Sequence, residues 1–295
     1  MTKVKKRKPE VSIIGTGRLG TALAIALVHE KYSIRALVGR RRESARRAAG
    51  FLDGSSCVLA VNKLRDLPAS ELLIIATPDD QIAKVAENLA KLDGDIRSNS
   101  TVLHTSGALS ASVLSPMRDK GWSTGSLHPL VSVSEPKAGA QLLRGSFWSV
   151  EGDKRAIRLG RMIVRDLDGR SFSIRSENKP LYHAAAVMAS GNVTALFDVA
   201  IEMLSECGLT RHQAQNALLP LLASAVRNLE ELDPARALTG TFARGDLETV
   251  KRHLASLKNN EAALEIYRLM GLRSLKLASS RLDPAVVKRI RRLIG

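Results

Sequence analysis

Three glycines form the most distinctive chemical pattern in the chain. Gly15, Gly17 and Gly20 make the spacing G-x-G-x-x-G between a short apolar run and a helical pattern. The first glycine permits a tight turn, the second lets a pyrophosphate approach the backbone, and the third lets the helix pack closely on the strand. Because the helix N-terminus then faces the phosphates, the spacing predicts a dinucleotide-binding turn. Its candidate residues are Gly15, Thr16, Gly17, Arg18, Leu19 and Gly20, with a glycine-rich turn that binds nothing as the alternative.

Residues further along indicate which dinucleotide would bind. About 20 residues after this spacing, NAD-binding chains place an Asp or Glu on the ribose 2′-hydroxyl, whereas an Arg accommodates a 2′-phosphate. The chain has Val38-Gly39-Arg40-Arg41-Arg42 here, with no acidic residue. A guanidinium group can hold phosphate oxygens through two parallel hydrogen bonds, so Arg40 and Arg41 are the candidate phosphate partners and NADP is the favoured cofactor. The alternative is a solvated turn that leads into a helix over residues 43–49.

Two further loops follow predicted strands. Ala76-Thr77-Pro78-Asp79-Asp80 follows the fourth strand, and His104-Thr105-Ser106-Gly107 follows the fifth. Ligands of open parallel sheets bind beyond the carboxyl ends of the strands, so Thr77 and Pro78 are candidate cofactor contacts. Asp79 is expected to cap the helix that follows.

A histidine suits the proton transfer that accompanies hydride transfer, because its unperturbed pKa is about 6.5. His128 lies at a predicted strand end and is the first candidate; a histidine that only orders its loop is the alternative. His183, a further candidate for the proton role, and Asn192, a candidate substrate contact, lie on a long alanine-rich helix. Nine residues at about 100° each place their side chains on opposite faces of a continuous helix. Both can therefore serve one site only if the helix breaks near Ser190-Gly191.

Two charged side chains are candidate substrate contacts. Arg244, in the turn Ala243-Arg244-Gly245-Asp246, is a candidate ligand for a substrate carboxylate, with a structural ion pair between Arg244 and Asp246 as the alternative. Lys179 is the other candidate, although a solvated lysine is the expectation at a helix end. No metal site is expected, because Cys57 and Cys207 have no paired spacing, and so few cysteines fit a reducing cytoplasm.

The order of predicted elements indicates an α/β fold. Short β-branched runs alternate with helical patterns up to about residue 175, which is typical of a doubly wound, mostly parallel sheet of the Rossmann type. The predicted strands are residues 11–15, 33–39, 57–61, 72–76, 101–104, 123–127, 147–150 and 171–174. The chain from Pro180 onward indicates four to six helices and no strand. We therefore predict a basic tail over 1–9, an NADP-binding domain over 10–176, and an all-helical substrate and dimerisation domain over 177–295.

With these motifs in place, the chain resembles the bacterial oxidoreductases that join a Rossmann-like NADP domain to a helical domain of unknown function. Those proteins are relatives of ketopantoate reductase, pyrroline-5-carboxylate reductase and prephenate dehydrogenase. The similarity covers nearly the whole chain after Pro9, with one departure at Thr241, where the family usually has proline. It rests on Gly15 to Gly20, Ala76-Thr77-Pro78-Asp79-Asp80, His104-Thr105-Ser106-Gly107-Ala108-Leu109, Ser126-Leu127-His128-Pro129-Leu130, Tyr182-His183-Ala184-Ala185-Ala186, and Ala237-Leu238-Thr239-Gly240 through Ala243-Arg244-Gly245-Asp246.

The resemblance implies an NADP-dependent oxidoreductase of a small oxo acid or imino acid, and a homodimer built largely through the helical domain. It also implies residue roles. The stretch around His128 is similar to the His-Pro element of prephenate dehydrogenases, in which a serine assists the histidine, and Ser106 stands in that place. Lys179 is similar to the catalytic lysine of hydroxyacid dehydrogenase relatives, without the matching spacing to an asparagine. A non-catalytic NADP-binding regulator or scaffold would have the same motifs and remains the alternative.

The strong positive charge of the chain is local. There are 45 Lys and Arg against 29 Asp and Glu, but residues 51–272 hold 25 of each sign. The excess lies at the two ends, so it does not indicate a nucleic-acid partner. Aromatic residues make up 3% of the chain, too few for a base-stacking surface. No stretch of about 18 apolar residues lacks a polar interruption, so no membrane partner is expected.

Overall fold

The computed structural model describes residues 7–52, 56–92 and 100–295. Residues 1–6, most of the predicted basic tail, lie outside the described residues. The chain divides into two compact units, Met1–Gly191 and Asn192–Gly295. This division falls after the predicted boundary at residue 176, because the helix that begins at Lys179 is tied to the sheet of the first unit by buried hydrogen bonds. The assignment of a cofactor domain and a substrate domain stays a prediction.

One eight-stranded sheet forms the centre of the first unit. The strands are β1 Val11–Ile14, β2 Ile34–Gly39, β3 Cys57–Ala60, β4 Leu72–Ile75, β5 Thr101–His104, β6 Ser123–Pro129, β7 Phe147–Gly152 and β8 Arg170–Phe172. Their spatial order is β3-β2-β1-β4-β5-β6-β7-β8. Neighbouring strands are parallel except for β6 and β7. The predicted doubly wound, mostly parallel sheet is confirmed.

Helices cover both faces of this sheet. They are α1 Arg18–His29, α2 Arg42–Ala49, α3 Asp79–Ala90, α4 Ser115–Arg118, α5 Pro136–Leu142 and α6 Lys154–Asp166. A further helix, α7 Lys179–Ala189, follows β8 and is joined to the sheet by the hydrogen bonds of Lys179. Neighbouring residues of a strand point to opposite faces, so β1 contributes to both layers of the core. Ile13 packs in the cluster that holds Leu23 of α1 and Ile163 of α6. Ile14 packs in the cluster that holds Ile82 of α3.

Two helical segments of the first unit differ from the sequence pattern. A helical pattern over residues 109–120 is interrupted, and only a short 3₁₀ turn, Ala111–Leu114, precedes α4. Pro116 explains the interruption, because proline lacks an N–H group and its ring clashes with the carbonyl one turn earlier. The helix α5 has no clear apolar period in the sequence; it begins at Pro136, and the carboxylate of Glu135 accepts a hydrogen bond from the amide of Ala138.

The second unit is all helical in the part that the structure describes. Its helices are α8 Gly191–Glu206, α9 Arg211–Glu231, α10 Pro234–Ala237, α11 Thr241–Arg244, α12 Leu247–Leu257, α13 Glu261–Ala278 and α14 Pro284–Ile294. Together with α7 they make eight helices rather than four to six, because one predicted helix is broken and α10 and α11 are single turns. A small core joins α12, α13 and α14 through Val250, Leu275, Ile290 and Ile294.

The break lies between α7 and α8, inside the long helix that the sequence predicts. Ser190 has φ −129° and ψ −81°, outside the helical range. Its hydroxyl donates to the carbonyl of Ala186 at 2.7 Å, and a serine followed by glycine is a common place for a helix to kink. The argument that His183 and Asn192 lie on opposite faces of one helix therefore does not apply.

Two features at the edges of the fold bear on the predicted partners. Arg7 forms ion pairs with Glu10 and Glu71, and Lys8 pairs with Asp166 at 3.1 Å, so these tail charges have partners within the chain. By length and composition, Ser176–Glu206 is apolar enough to cross a membrane, with a mean hydropathy of 1.5. The break at Ser190 divides it into two helices.

Candidate functional site

A cleft of about 920 Å³ opens at the carboxyl ends of β1, β2 and β4. The strand order reverses at β1, with β2 and β3 on one side and β4 on the other, and doubly wound sheets bind their ligands at such a point. The predicted cofactor residues in its wall are Gly15, Thr16, Gly17, Arg40, Arg41, Thr77 and Pro78. Of the other predicted residues, Gly20 is buried and Leu19 packs against the core. Arg18, Leu19 and Gly20 form the first turn of α1 and offer backbone N–H groups.

A different structural feature accounts for glycine at each of the three positions. Gly15 has φ +107°, and a Cβ there would lie 2.4 Å from the carbonyl carbon of Ala76. A Cβ on Gly20 would lie 1.9 Å from the oxygen of Gly15. Gly17 has an ordinary φ of −74°, and a Cβ there would meet nothing within 4 Å. The fold thus requires glycine at 15 and 20, whereas at 17 only a ligand would.

The groups around Gly17 fit a pyrophosphate. No side chain caps α1, and no acidic residue lies in its first turn. Its free N–H groups and the helix dipole therefore favour an anion. Thr77 supplies a buried hydroxyl that has no hydrogen-bond partner among the described residues. An uncapped helix, an open Cβ position and an unpaired hydroxyl in one cleft fit the phosphates of a dinucleotide.

The cationic end of the cleft follows β2. Arg40 and Arg41 line it, and the exposed Arg47 on α2 adds a third guanidinium that the sequence pattern did not single out. None of the three forms an ion pair with any residue that the structure describes. Glu43 also lines the cleft, so the wall is not purely cationic.

A second cluster lies beyond the ends of β5 and β6, where α7 meets the sheet. Nδ1 of His128 lies 2.7 Å from the hydroxyl of Tyr182. The ring of His183 packs edge-on against His128, with 5.7 Å between the ring centres. Gly107 makes this approach possible, because a Cβ there would lie 2.7 Å from Nε2 of His128 and 2.5 Å from Nδ1 of His183. The structure thus brings the two candidate histidines together.

The surroundings keep His128 neutral near pH 7. Burial first, and then the charges of Lys179 and His183, lower the pKa of His128 to about 4. Burial also raises the pKa of Tyr182 to about 12, so the phenol stays protonated. Because the pKa of His128 lies below its unperturbed value, any proton role at neutral pH falls to the neutral imidazole rather than to an imidazolium.

Ser106 connects the cleft to the histidine cluster around His128 and His183. Its hydroxyl donates to Asp79 at 2.8 Å and accepts from the amides of Ala108 and Leu109. Asp79 follows Pro78 in the cleft wall and is the first residue of α3, so its carboxylate holds Ser106 rather than capping that helix. Among the described residues the Ser106 hydroxyl has no hydrogen bond to His128. The geometry gives Ser106 a role in holding the loop before Gly107.

Lys179 is fully buried, so the expectation of a solvated lysine is wrong. Its Nζ donates to the hydroxyl of Ser126 at 2.6 Å and to the carbonyl of Ser106 at 3.2 Å. Glu151 lies 4.0 Å away, and its carboxylate also accepts from the amide of Ala111. Burial lowers the pKa of Lys179, and the nearby carboxylates oppose that shift. Lys179 has no surface left for a substrate; it joins α7 to the sheet.

Sequence reasoning missed four members of this cluster. They are Asp79 as a partner of Ser106, Tyr182, Glu151 and His104. His104 ends β5 and is wholly buried; its Nδ1 accepts from the amide of Ser106, and Nε2 lies 3.1 Å from the carbonyl of Ser110. Burial lowers its pKa to about 3. Tyr182 directly precedes His183. Its position beside a candidate histidine was the sequence feature that could have identified it as a member of the site.

Two predicted substrate residues belong to the second unit. Asn192 begins that unit, and Arg244 ends the single turn α11. The alternative role of Arg244, an ion pair with Asp246, is not formed. Asp246 instead caps α12 by accepting hydrogen bonds from the amide and the hydroxyl of Thr249. Among the described residues Arg244 forms no ion pair.

Fold and cleft together define a Rossmann-like dinucleotide-binding protein, and comparison with known proteins agrees. Residues 1–129 match a family model described as a Rossmann-like domain. Residues 146–274 match one described as a domain of unknown function, DUF2520. The chain therefore combines a Rossmann-like domain with a DUF2520 domain, and the family resemblance is confirmed.

Solved structures share this architecture at low identity. A Bacteroides fragilis protein assigned as an NADP oxidoreductase is 23% identical, with a TM-score of 0.74 over 91% of this chain and 98% of that one. Plasmodium falciparum pyrroline carboxylate reductase, solved with NADP bound, is 13% identical, with a TM-score of 0.59 over 98% and 99%. Aquifex aeolicus prephenate dehydrogenase, solved with NAD+, is 16% identical, with a TM-score of 0.53 over 95% and 100%. No curated protein matches the sequence. These likenesses support a nicotinamide dinucleotide and an oxidoreductase-like fold.

Proposed function

We propose that the protein is an NADP-dependent oxidoreductase that transfers a hydride between NADPH and a small oxo acid or imino acid. The observation behind this proposal is that Asp79 and Ser106 connect the cleft to the histidine cluster. Pro78 lines the cleft that fits a dinucleotide, the next residue, Asp79, holds Ser106, and Ser106 precedes the glycine against which His128 packs. A candidate proton donor thus stands at strand ends next to those that form the cleft.

The cofactor would be held largely by the backbone. The first turn of α1 and Gly17 would face the pyrophosphate, and Thr77 would offer its free hydroxyl. When bound, the reduced nicotinamide supplies the hydride. The preference for NADP rests on Arg40, Arg41 and Arg47, since no acidic residue replaces them at the end of β2.

The protein's own chemistry centres on His128. Its Nε2 has no hydrogen bond among the described residues, so this nitrogen is available to a substrate. His183 is the second candidate, because its buried Nδ1 lacks a partner in the described part of the chain. Arg244 and Asn192 stay the candidates for holding a substrate carboxylate.

A non-catalytic NADP-binding regulator or scaffold is the second candidate function, since the cleft alone would serve it. The test is NADPH fluorescence to measure binding, followed by NADPH absorbance with a panel of small 2-oxo acids and cyclic imino acids. Turnover of any of them supports the oxidoreductase. Tight binding without turnover favours the regulator, and failure to bind NADPH contradicts both.

A second copy of the chain is the expected partner. In the second unit, α8 and α9 bury only Ile201 and Ala214, while several large apolar side chains remain exposed, namely Val193, Leu196, Leu219, Leu221, Val226 and Leu229. Uncovered apolar surface of this kind marks an interface, and a homodimer would cover it. Sedimentation should then give twice the mass of the chain. A cytoplasmic location, without a nucleic-acid or membrane partner, completes the proposal.

A further inference from the structure

The proposed function leaves open whether the reducible bond is C=O or C=N, and the two reactions make different demands on a protein. Hydride addition to a carbonyl produces an alkoxide, which needs a proton from the site. An imine is reduced as its protonated iminium, which already carries the proton and becomes a neutral amine. A carbonyl site therefore needs a proton donor that acts as the hydride arrives, and a nearby positive charge favours it. An imine takes up its proton beforehand, and a nearby positive charge disfavours its iminium form.

Tyr182 decides which nitrogen of His128 carries the proton. An imidazole nitrogen is a much stronger base than a phenol oxygen, so in the 2.7 Å contact the Tyr182 hydroxyl donates and Nδ1 accepts. In a neutral imidazole the hydrogen bond at one nitrogen fixes the proton on the other. His128 then holds its proton on Nε2, the nitrogen without a hydrogen bond in the described residues. Phe172 supports this arrangement by packing edge-on against the Tyr182 ring at 5.9 Å.

A buried cation, Lys179, acts on His128. Lys179 has two oxygen acceptors and the carboxylate of Glu151 around its Nζ, which are the surroundings of an ammonium ion. After the larger effect of burial, the charge of Lys179 lowers the pKa of His128. A positive environment stabilises a developing alkoxide and opposes an iminium cation.

We infer that this site reduces the carbonyl group of an oxo acid rather than the C=N bond of an imino acid, through the Nε2–H of His128 held in place by Tyr182. The inference rests on the proposed oxidoreductase function. The carbonyl carbon receives the hydride, and the electron pair of the C=O π bond moves to oxygen. That oxygen takes the proton from Nε2, while Nδ1 takes the hydroxyl proton of Tyr182. Water then returns a proton to the phenolate. His128 changes tautomer without becoming charged.

The first experiment compares substrates of matched size. NADPH oxidation is followed with a small 2-oxo acid and with the cyclic imino acid of similar carbon number. We expect kcat/KM for the oxo acid to exceed that for the imino acid by at least about 100-fold, the lower end of what a placed proton donor contributes. Preferential reduction of the imino acid would overturn the inference and leave the oxidoreductase function standing.

The second experiment uses Tyr182→Phe with Tyr267→Phe as its control. The control pair has the same geometry, since the hydroxyl of Tyr267 lies 2.8 Å from Nδ1 of His253 and the two rings pack edge-on. Tyr182→Phe should lower kcat for the oxo acid by about 100-fold with unchanged NADPH affinity, whereas Tyr267→Phe should not lower kcat. An unchanged kcat in Tyr182→Phe would contradict the role of Tyr182.

A third measurement does not depend on turnover. In ¹⁵N-labelled protein, the nitrogen shifts of His128 should show the Nε2–H tautomer, and Tyr182→Phe should convert it to a mixture. If no acid in the panel is reduced, this measurement still tests the Tyr182–His128 pair while the proposed function fails. A wild-type Nδ1–H tautomer would overturn the inference.

Discussion

The dinucleotide cleft and the histidine cluster occupy neighbouring strand ends of one sheet, but the first is formed largely by backbone groups and the second by side chains. The cleft relies mainly on the backbone, namely glycines, an uncapped helix and short turns, and its wall comes chiefly from three segments of chain, residues 14–17, 38–47 and 76–85. The cluster uses side chains from β5, β6, β7 and α7, where the contact between His128 and Tyr182 spans 54 residues. Backbone sites leave a short-range sequence pattern, whereas side-chain sites depend on which strands become neighbours.

The largest expected effect concerns the cluster. His128→Asn should lower kcat by about 10²- to 10⁴-fold, the usual contribution of a positioned proton donor. NADPH binding should stay unchanged, because His128 does not line the cleft. Stopped-flow turnover and a fluorescence titration provide the two readings. If turnover persists at the wild-type level, the proton role moves to His183.

The glycines provide a paired test of the cleft. Gly15→Ala should destabilise the fold by about 1–3 kcal/mol from its left-handed φ alone, with more from the overlap on Ala76. Gly17→Ala should leave the free energy of unfolding nearly unchanged, because its Cβ meets no protein atom, and should weaken NADPH binding. Urea unfolding and NADPH titration separate the two effects. Equal binding by Gly17→Ala and the wild type would mean that the open space is not the pyrophosphate site.

Acid should affect the cluster more than the cleft. His104 has a folded-state pKa of about 3, below its unfolded value of about 6.5. Between these two pKa values, His104 binds a proton in the unfolded chain but not in the native one. The free energy of unfolding therefore falls as the pH falls below 6.5. His104 alone should account for a loss of about 1.4 kcal/mol per pH unit, or about 2 kcal/mol between pH 6.5 and 5, and His128, with a pKa of about 4, adds to it.

The measurement is urea unfolding at both pH values. His104→Gln should show a shallower decrease in unfolding free energy, and the exposed His212→Gln should follow the wild type. A decrease of the same size in all three proteins would rule out His104 as its source.

The smallest expected effect concerns cofactor choice. Arg40→Asp should weaken NADPH binding by about tenfold, since a hydrogen bond to a charged group contributes about 1.5 kcal/mol or more, while NADH affinity should change little. Titration with both nucleotides checks this, with Arg46→Asp as the control because Arg46 does not line the cleft. Equal losses for NADPH and NADH would contradict the 2′-phosphate assignment.

Much of the fold could be predicted because local patterns suffice for it. All eight strands were found from β-branched runs. Helical patterns over residues 211–232, 247–258, 261–279 and 285–294 match α9, α12, α13 and α14 to within a few residues. The errors have local causes as well: Pro116 interrupts one helical pattern, and Ser190-Gly191 divides another. The site was predicted unevenly. Lys179 was expected in solvent because its burial depends on Glu151 and Ser126, which are distant in sequence.

The sequence by itself determined the α/β class, the glycine turn, the arginines after β2 and the identity of the candidate histidines. Each follows from neighbours within a few residues, where spacing alone constrains the backbone. Only the tertiary structure decided that Tyr182 reaches His128, that Asp79 holds Ser106, and that Lys179 is buried with Glu151. Those contacts set the proton position and the charge around His128, because burial and long-range pairing shift a pKa in ways that residue type cannot.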